Sequence, residues 1–386
     1  MAQVQNKKKR AVVAMSGGVD SSVAAALLAR DGYDVVGVTM RLFSAPNEQI
    51  AKLNKSCCSL EDVEDARAVC RKIGAKHYFL NFEEDFQKHV VDYFVSEYER
   101  GRTPHPCLAC NDRLKFNFLF KRAELMDADV IATGHYGRIR EHDGEYQLLA
   151  GIDSMKDQSY VLYTLRQDQL AKLSLPIGDY SKSEIREVAR ELGLSIADKP
   201  DSQDICFIPD GDYNRFIEPR LKRKLSGEIV DAEGKVLGQH DGIHGFTIGQ
   251  RKRIPAVNNT KRPLYVSDIN ADSGRVTVGP AENLMKTRLY ASGMNWISGV
   301  APVDPIQVSA RIRYNGGNSP ATVRALEPKN GAEIEFDQPV RAITPGQAVV
   351  FYNDDVVIGG GLIETSLPEP TTPKSQDFAG SSVISV

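Results

Sequence analysis

Ser16-Gly17-Gly18-Val19-Asp20-Ser21-Ser22 constrains this chain more than any other stretch. Before it, Ala11-Val12-Val13-Ala14-Met15 is an apolar run with the length and composition of a buried strand. After it, residues 23–30 are rich in Ala and Leu and predict a helix. A strand, a glycine turn and a helix opening in hydroxyl residues make an anion cradle. The glycines admit a close ligand, the first helical N–H groups lack internal partners, and the helix dipole adds positive potential. Pyrophosphate is a natural guest for such a turn.

The spacing is neither that of a Walker A loop nor that of the Rossmann fingerprint. Two glycines and a serine would by themselves fit a plain capped turn. The seven residues together resemble the PP-loop of ATP pyrophosphatases, enzymes that adenylate a carbonyl oxygen and release pyrophosphate. That resemblance implies an ATP site.

From residue 11 to about 133, strand and helix patterns alternate. Residues 35–40, 77–82 and 129–133 read as further strands, and 59–73, 83–98 and 111–126 as helices. In the first of these helices Leu60, Val63, Ala66, Cys70 and Ile73 form an apolar stripe, which makes Cys70 a core thiol. Repeated β-α units imply a parallel sheet covered on both faces, with ligands at the carboxyl ends of its strands. The Ser16 turn, Met40 and Gly134-His135 fall at such ends and can converge on one nucleotide.

At 386 residues the chain is long enough for two or three domains. No apolar run approaches a membrane span. The polar start, ending in Lys7-Lys8-Lys9-Arg10, lacks the core of a signal peptide, so a cytoplasmic protein with no membrane partner is expected. Net charge is −3, so nucleic acid would have to be held by local basic patches. In a reducing compartment the six cysteines should be reduced unless they do chemistry or bind metal. None lies beyond Cys206, which confines thiol chemistry to the first part of the chain. Cys57 and Cys58, adjacent in a polar loop, are assigned none.

The second informative stretch is Gly101-Arg102-Thr103-Pro104-His105-Pro106-Cys107-Leu108-Ala109-Cys110-Asn111. Two prolines stiffen the approach. Cys110 is expected at the start of a helix, where a thiol pKa falls and the thiolate is favoured. The C-x-x-C spacing alone fits half a zinc site, a redox pair or iron–sulfur ligands. Structural zinc would need two more ligands, and no second C-x-x-C or His/Cys pair supplies them. A polar loop over residues 198–207, broken by Pro200, carries Cys206.

Together with Ala132-Thr133-Gly134-His135-Tyr136, Lys156-Asp157-Gln158 and Ser202-Gln203-Asp204-Ile205-Cys206-Phe207, these motifs occur in a telling order. It resembles that of the tRNA-uridine 2-sulfurtransferases, or tRNA-specific 2-thiouridylases, which place sulfur on C2 of the wobble uridine. The resemblance runs from about residue 11 to 365. It implies an ATP site formed by Ala14, Met15, Ser16, Gly17, Gly18, Val19, Asp20, Ser21, Met40 and Gly134. It implies Cys110 as the nucleophile and Cys206 as the carrier of a persulfide. His105, Pro106 and Cys107 fall where the family contacts the target base. His135, Lys156, Asp157, Gln158, Arg313, Tyr314 and Gln347 match positions near tRNA. The implied partners are tRNA and a sulfur donor such as a cysteine desulfurase or a sulfur-relay protein. Mg2+ is expected with ATP, and Asp20 is either its ligand or a turn carboxylate bonded to backbone amides.

The residues suit that chemistry. Oxide is a poor leaving group from C2 of uracil, whereas an adenylated oxygen leaves as AMP. A persulfide on Cys206 can supply sulfur, and Cys110 can resolve the S–S bond by exchange, forming a disulfide. One departure matters: much of the family has aspartate where this chain has Cys107, so an acid/base role there does not carry over. Cys107, Cys110 and Cys206 could instead hold a [4Fe–4S] cluster with one open iron. Both routes stand open on the sequence.

The expected organisation is an α/β parallel-sheet PP-loop domain of the adenine nucleotide alpha hydrolase type over residues 11–211, behind a flexible basic start at 1–10. A small basic tRNA-binding domain at 212–280 carries Arg220, Lys222, Arg223, Lys224 and Arg251-Lys252-Arg253. Short strand patterns separated by Asn-Gly turns predict a β-barrel at 281–365, followed by a disordered tail at 366–386. Two rival functions are weighed. One is a PP-loop ligase or amidotransferase that adenylates a small metabolite and needs no cysteines; the other is a non-catalytic RNA-binding protein.

Overall fold

The computed structural model describes residues 8–43, 60–201, 205–208, 210–254, 262–326 and 330–367. Cys57, Cys58, Ser202-Gln203-Asp204, the first seven residues and the tail from 368 onward lie outside the described residues.

Strands β1 (Arg10–Ala14), β2 (Asp34–Arg41), β3 (Lys76–Asn81) and β4 (Val130–Thr133) are all parallel. They alternate with helices α1 (Val19–Arg30), α2 (Leu60–Lys72), α3 (residues 83–99) and α4 (residues 106–125). The spatial order β3-β2-β1-β4 puts β1 between β2 and β4, so the chain leaves β1 at the point where the winding reverses. That is where an open α/β sheet binds its ligand. Alternate side chains of β1 face opposite layers. Ala11 and Val13 join Met15 in a core with α1 and α2, while Val12 joins the core built from α3 and α4. The stripe predicted for α2 holds from Val63 to Cys70, but Leu60, its first residue, is 83% exposed.

A hairpin that the sequence patterns did not reveal follows: β5 (Gly137–His142) and β6 (Glu145–Ala150). Next, β7 (Leu173–Ser174) adds to β4 at the sheet edge, and α5 (Lys182–Glu191) packs Ile185 and Ala189 against the α1 layer. The small central unit has β8 (Gly227–Val230), β9 (Val236–His240), β10 (Tyr265–Asn270) and β11 (Arg275–Gly279), in the order β10-β11-β8-β9. Its core is Ile229, Ile243, Phe246, Val266, Val276 and Val278.

The last unit is the expected barrel. Strands β12 (Met285–Trp296), β13 (Ile306–Arg311), β14 (Ser319–Leu326), β15 (Gly331–Arg341), β16 (Ala348–Asn353) and β17 (Val356–Ser366) pair antiparallel. The pairing of β12 with β17 closes the ring, which removes exposed strand edges. β17 also pairs with β6 at Val356–Leu149, so the barrel grows directly out of the first domain's hairpin. Among the described residues no helix is long and apolar enough to cross a membrane.

Candidate active site

The cradle forms where β1 gives way to α1. Gly17 sits at φ +75°, and a Cβ there would lie 2.2 Å from the Asp62 carbonyl oxygen, so the turn and the start of α2 touch backbone to backbone. Gly18 is extended, and Val19 opens the helix. Ser21 Oγ accepts from the Ser16 amide at 3.1 Å, which folds the turn over the first helical residues. At the end of β4 a Cβ on Gly134 would fall 2.5 Å from the Ser21 nitrogen, so that strand also abuts the cradle. Ser22 Oγ is buried there and has no hydrogen-bond partner among the described residues. Behind the turn, Met15 sulfur lies 3.3 Å from Cys70 Sγ, and burial pushes the Cys70 thiol up to about 11, as befits an inert core thiol.

Asp20 is held by side chains rather than by the backbone amides of the turn. Its oxygens accept from the Tyr136 hydroxyl at 2.8 Å and from Lys182 Nζ at 2.7 and 2.9 Å. Lys182 also meets Asp201 at 2.8 Å, and Asp201 is held in addition by Lys156 at 2.6 Å and Arg186 at 3.1 Å. Burial opposes ionisation of Asp201, yet the lysine hydrogen bonds outweigh it and hold the carboxyl down at about 2. On the other side Lys199 donates to the Gly17 carbonyl at 3.1 Å and to Asp62 and Asp65. Sequence reasoning missed Lys182, Lys199 and Asp201. The only local signal was the Ser181 capping box that opens α5, and no periodicity links position 182 to position 20.

The Cys-bearing loop is clamped by all three units. Arg102 pairs with Glu97 at 2.7 Å and with Glu364 of β17. Thr103 N donates to the Pro345 carbonyl at 2.9 Å, its carbonyl accepts from Gln347 Nε2 at 2.7 Å, and its hydroxyl meets Thr247 at 3.2 Å. His105 then lies between the rings of Tyr160 and Tyr314, with centroids 6.1 and 5.7 Å away. Burial pushes its imidazole down to about 4, and its Nδ1 is buried without a partner among the described residues.

The helix starts earlier than the sequence predicts. Pro106, a residue suited to the first helical position, begins α4, so Cys107 stands in its first turn and exposed, while Cys110 stands one turn further in and buried. The run Cys110–Phe116 is π-helical, a local widening often found at functional sites. Cys110 belongs to the core cluster against which Cys206 packs. The neighbour of Cys206 anchors it there: Phe207 meets Phe86, Phe94 and Phe216 at 5.5, 5.5 and 5.1 Å between ring centroids.

The positions matched to tRNA contacts are diverse. Asp157 is buried, accepting from the Gly151 and Ser159 amides and pairing with Arg311 of the barrel at 3.1 Å. Gln158 and Tyr136 exchange two hydrogen bonds that fix the loop after β4. Arg313 donates to the Ala342 carbonyl at 2.6 Å. His135 accepts or donates at Thr133 Oγ1, 2.8 Å away, and burial, then Lys115, push it down to about 3.

Asp20 alone would suffice as the protein carboxylate for Mg2+, which is usually held by one or two carboxylates with substrate phosphates. Among the described residues no three His, Cys, Asp or Glu side chains are grouped to hold a metal, Cys107, Cys110 and Cys206 included.

Comparison with known proteins follows the same division. Residues 9–210 match the family described as tRNA methyl transferase HUP domain, 214–280 the tRNA methyl transferase PRC-barrel domain and 286–363 the aminomethyltransferase beta-barrel domain. The chain is 48% identical over 362 residues to tRNA-specific 2-thiouridylase MnmA 1 of Thermoanaerobacter sp. (strain X514), across 93% of this chain and 98% of that protein. It is 47% identical over 372 residues to the tRNA-specific 2-thiouridylase MnmA of Geobacter metallireducens, across 95% and 99%. NMN synthetase from Francisella tularensis aligns with 52% of this chain and 69% of its own, with TM-score 0.30 and 17% identity, a likeness too weak to bear on function.

Proposed function

The chain belongs to the tRNA-specific 2-thiouridylase family of PP-loop enzymes, and from that premise we propose how its residues make 2-thiouridine in tRNA. The turn at Ser16–Ser22 binds the phosphates of ATP. A wobble uridine, extruded from its stack, reaches the loop at His105, Pro106 and Cys107. Its C2 oxygen attacks the α-phosphorus, pyrophosphate leaves, and C2 is left bearing AMP. Asp20 would hold Mg2+, which would supply neutralisation of phosphate charge.

The terminal sulfur of a Cys206 persulfide then attacks C2 and AMP departs, leaving C2 joined through S–S to Cys206. Cys110 thiolate attacks the Cys206 sulfur. The nucleoside keeps its sulfur, and a Cys110–Cys206 disulfide remains for an external thiol to reduce. The observation that carries this reading is the seating of Cys110 and Cys206 at one hydrophobic cluster, beside a loop clamped by three units. The neutral His105 and the rings of Tyr160 and Tyr314 offer an apolar, stacking surface suited to a base. The outer sulfur of the persulfide arrives already at the sulfane level, passed from a persulfide on a donor such as a cysteine desulfurase or a sulfur-relay protein, and the setting is the cytoplasm.

The test is mass analysis of nucleosides from unmodified tRNA incubated with the protein, ATP and a persulfide donor such as a cysteine desulfurase with cysteine. 2-Thiouridine that needs both ATP and protein supports the reading. Pyrophosphate release that is indifferent to tRNA favours a small-metabolite ligase, and binding without pyrophosphate release favours a non-catalytic RNA-binding protein.

A further inference from the structure

Lys182 is the first residue of α5, and its side chain is only 12% exposed. It grips both oxygens of Asp20, and Asp20 is the second residue of α1. The ammonium therefore stands at the positive end of the helix whose N–H groups shape the cradle. Neither carboxylate depends on it alone. Asp201 has Lys156 and Arg186, and Asp20 has the Tyr136 hydroxyl. Asp153 joins the cluster by accepting from the Lys182 backbone amide at 3.0 Å, so Lys156, Lys182 and Arg186 balance three carboxylates beside a turn built for an anion. An ammonium whose partners have other donors can exchange one of them for a phosphate oxygen at little cost.

We propose that Lys182 is a catalytic residue of the adenylation step, contacting the β- and γ-phosphates of ATP and stabilising pyrophosphate as it departs. The inference rests on the adenylation reading above. In that step the bond formed joins uracil O2 to the α-phosphorus. The bond broken joins the α-phosphorus to the bridging oxygen, whose electron pair stays on pyrophosphate, and the N3 proton of uracil passes to solvent. Lys182 keeps its proton throughout. It acts by placing fixed positive charge where negative charge grows, while Tyr136 continues to hold Asp20 in place.

The experiment compares full-length wild type with Lys182→Met and Lys182→Arg. Binding of inorganic pyrophosphate and of AMP is measured by calorimetry, and tRNA-dependent pyrophosphate release by rate. In Lys182→Met, pyrophosphate affinity should fall about 10-fold or more while AMP affinity stays within about twofold, since only pyrophosphate meets the ammonium. The kcat for pyrophosphate release should fall roughly 100- to 1000-fold, with partial recovery in Lys182→Arg. Equal losses for both ligands would make Lys182 a structural residue, and no loss for either would remove it from the site; both outcomes overturn the proposal. If wild type itself releases no pyrophosphate with tRNA, the adenylation reading has failed, and that result is separate from any behaviour of the variants.

Discussion

Gln347 donates its side-chain amide to the Thr103 carbonyl at 2.7 Å, across 244 residues of chain. With the return bond from Thr103 N to Pro345 it makes the barrel a clamp on the loop that leads to His105 and Cys110. Position 347 thus acts on the site through Thr103. Gln347→Ala should cost about 1 kcal/mol of stability, the net worth of one hydrogen bond. It should lower 2-thiouridine formation by more than that loss of fold explains, about 10-fold, because a misplaced loop misaligns the base. Thermal unfolding and nucleoside analysis on one preparation check it; unchanged thiolation would show that the clamp is dispensable.

Cys107 and Cys110 are three residues apart yet differently housed, one exposed and one buried in the core cluster. A persulfide–disulfide route needs only Cys110 and Cys206. Cys107→Ser should therefore keep thiolation within about threefold of wild type, less than 1 kcal/mol in barrier. Anaerobically purified wild type should be active without stoichiometric iron. Loss of activity in Cys107→Ser, together with iron and acid-labile sulfide in the wild type, would reinstate the cluster.

The cradle tolerates no side chain at Gly17. A Cβ there would lie 2.2 Å from Asp62 carbonyl oxygen, and the backbone is in the left-handed region. Gly17→Ala should lose on the order of 2 kcal/mol of stability from strain and clash. It should also raise the KM for ATP while leaving tRNA affinity near wild type. Equal weakening of both ligands would argue that the turn serves the fold alone.

Burial holds the His105 imidazole at about 4, below its ordinary value near 6.5. The folded state therefore binds fewer protons than the unfolded state between those values. The stability is fully present above about pH 6.5 and is lost as pH falls toward 4. Between pH 7 and pH 5 wild type should lose on the order of 1 kcal/mol more than His105→Gln in denaturant unfolding. His135, held at about 3 by burial, acts with the same sign in both proteins and cancels in the comparison. Parallel pH profiles would contradict the buried, neutral assignment.

Much of this fold was legible in local pattern. The apolar run at residues 11–15, the glycine turn and the Ala-rich helix fixed the first β-α unit, because strand, turn and helix each have a short-range signature. The barrel strands and their Asn-Gly turns were legible for the same reason. The β5–β6 hairpin was not, because only its pairing with β17, more than 200 residues away, gives it a place. The start of α4 was misjudged by five residues, since Pro106 reads equally as a stiff loop residue or as a favoured first helical residue. At the site, motifs singled out Cys110, Cys206 and the cradle as candidates. The ammonium groups of Lys182 and Lys199 reach it from segments more than 160 residues downstream, and no spacing rule records such a meeting.

The most direct measurement loads the Cys206 thiol with radiolabelled persulfide sulfur, removes excess donor, and adds unmodified tRNA with or without ATP for a single turnover. The account predicts that label moves into 2-thiouridine only with ATP, that Cys206→Ser acquires no transferable label, and that Cys110→Ser strands the label on a tRNA–protein adduct. Transfer without ATP, or wild-type yield from either serine variant, would contradict it.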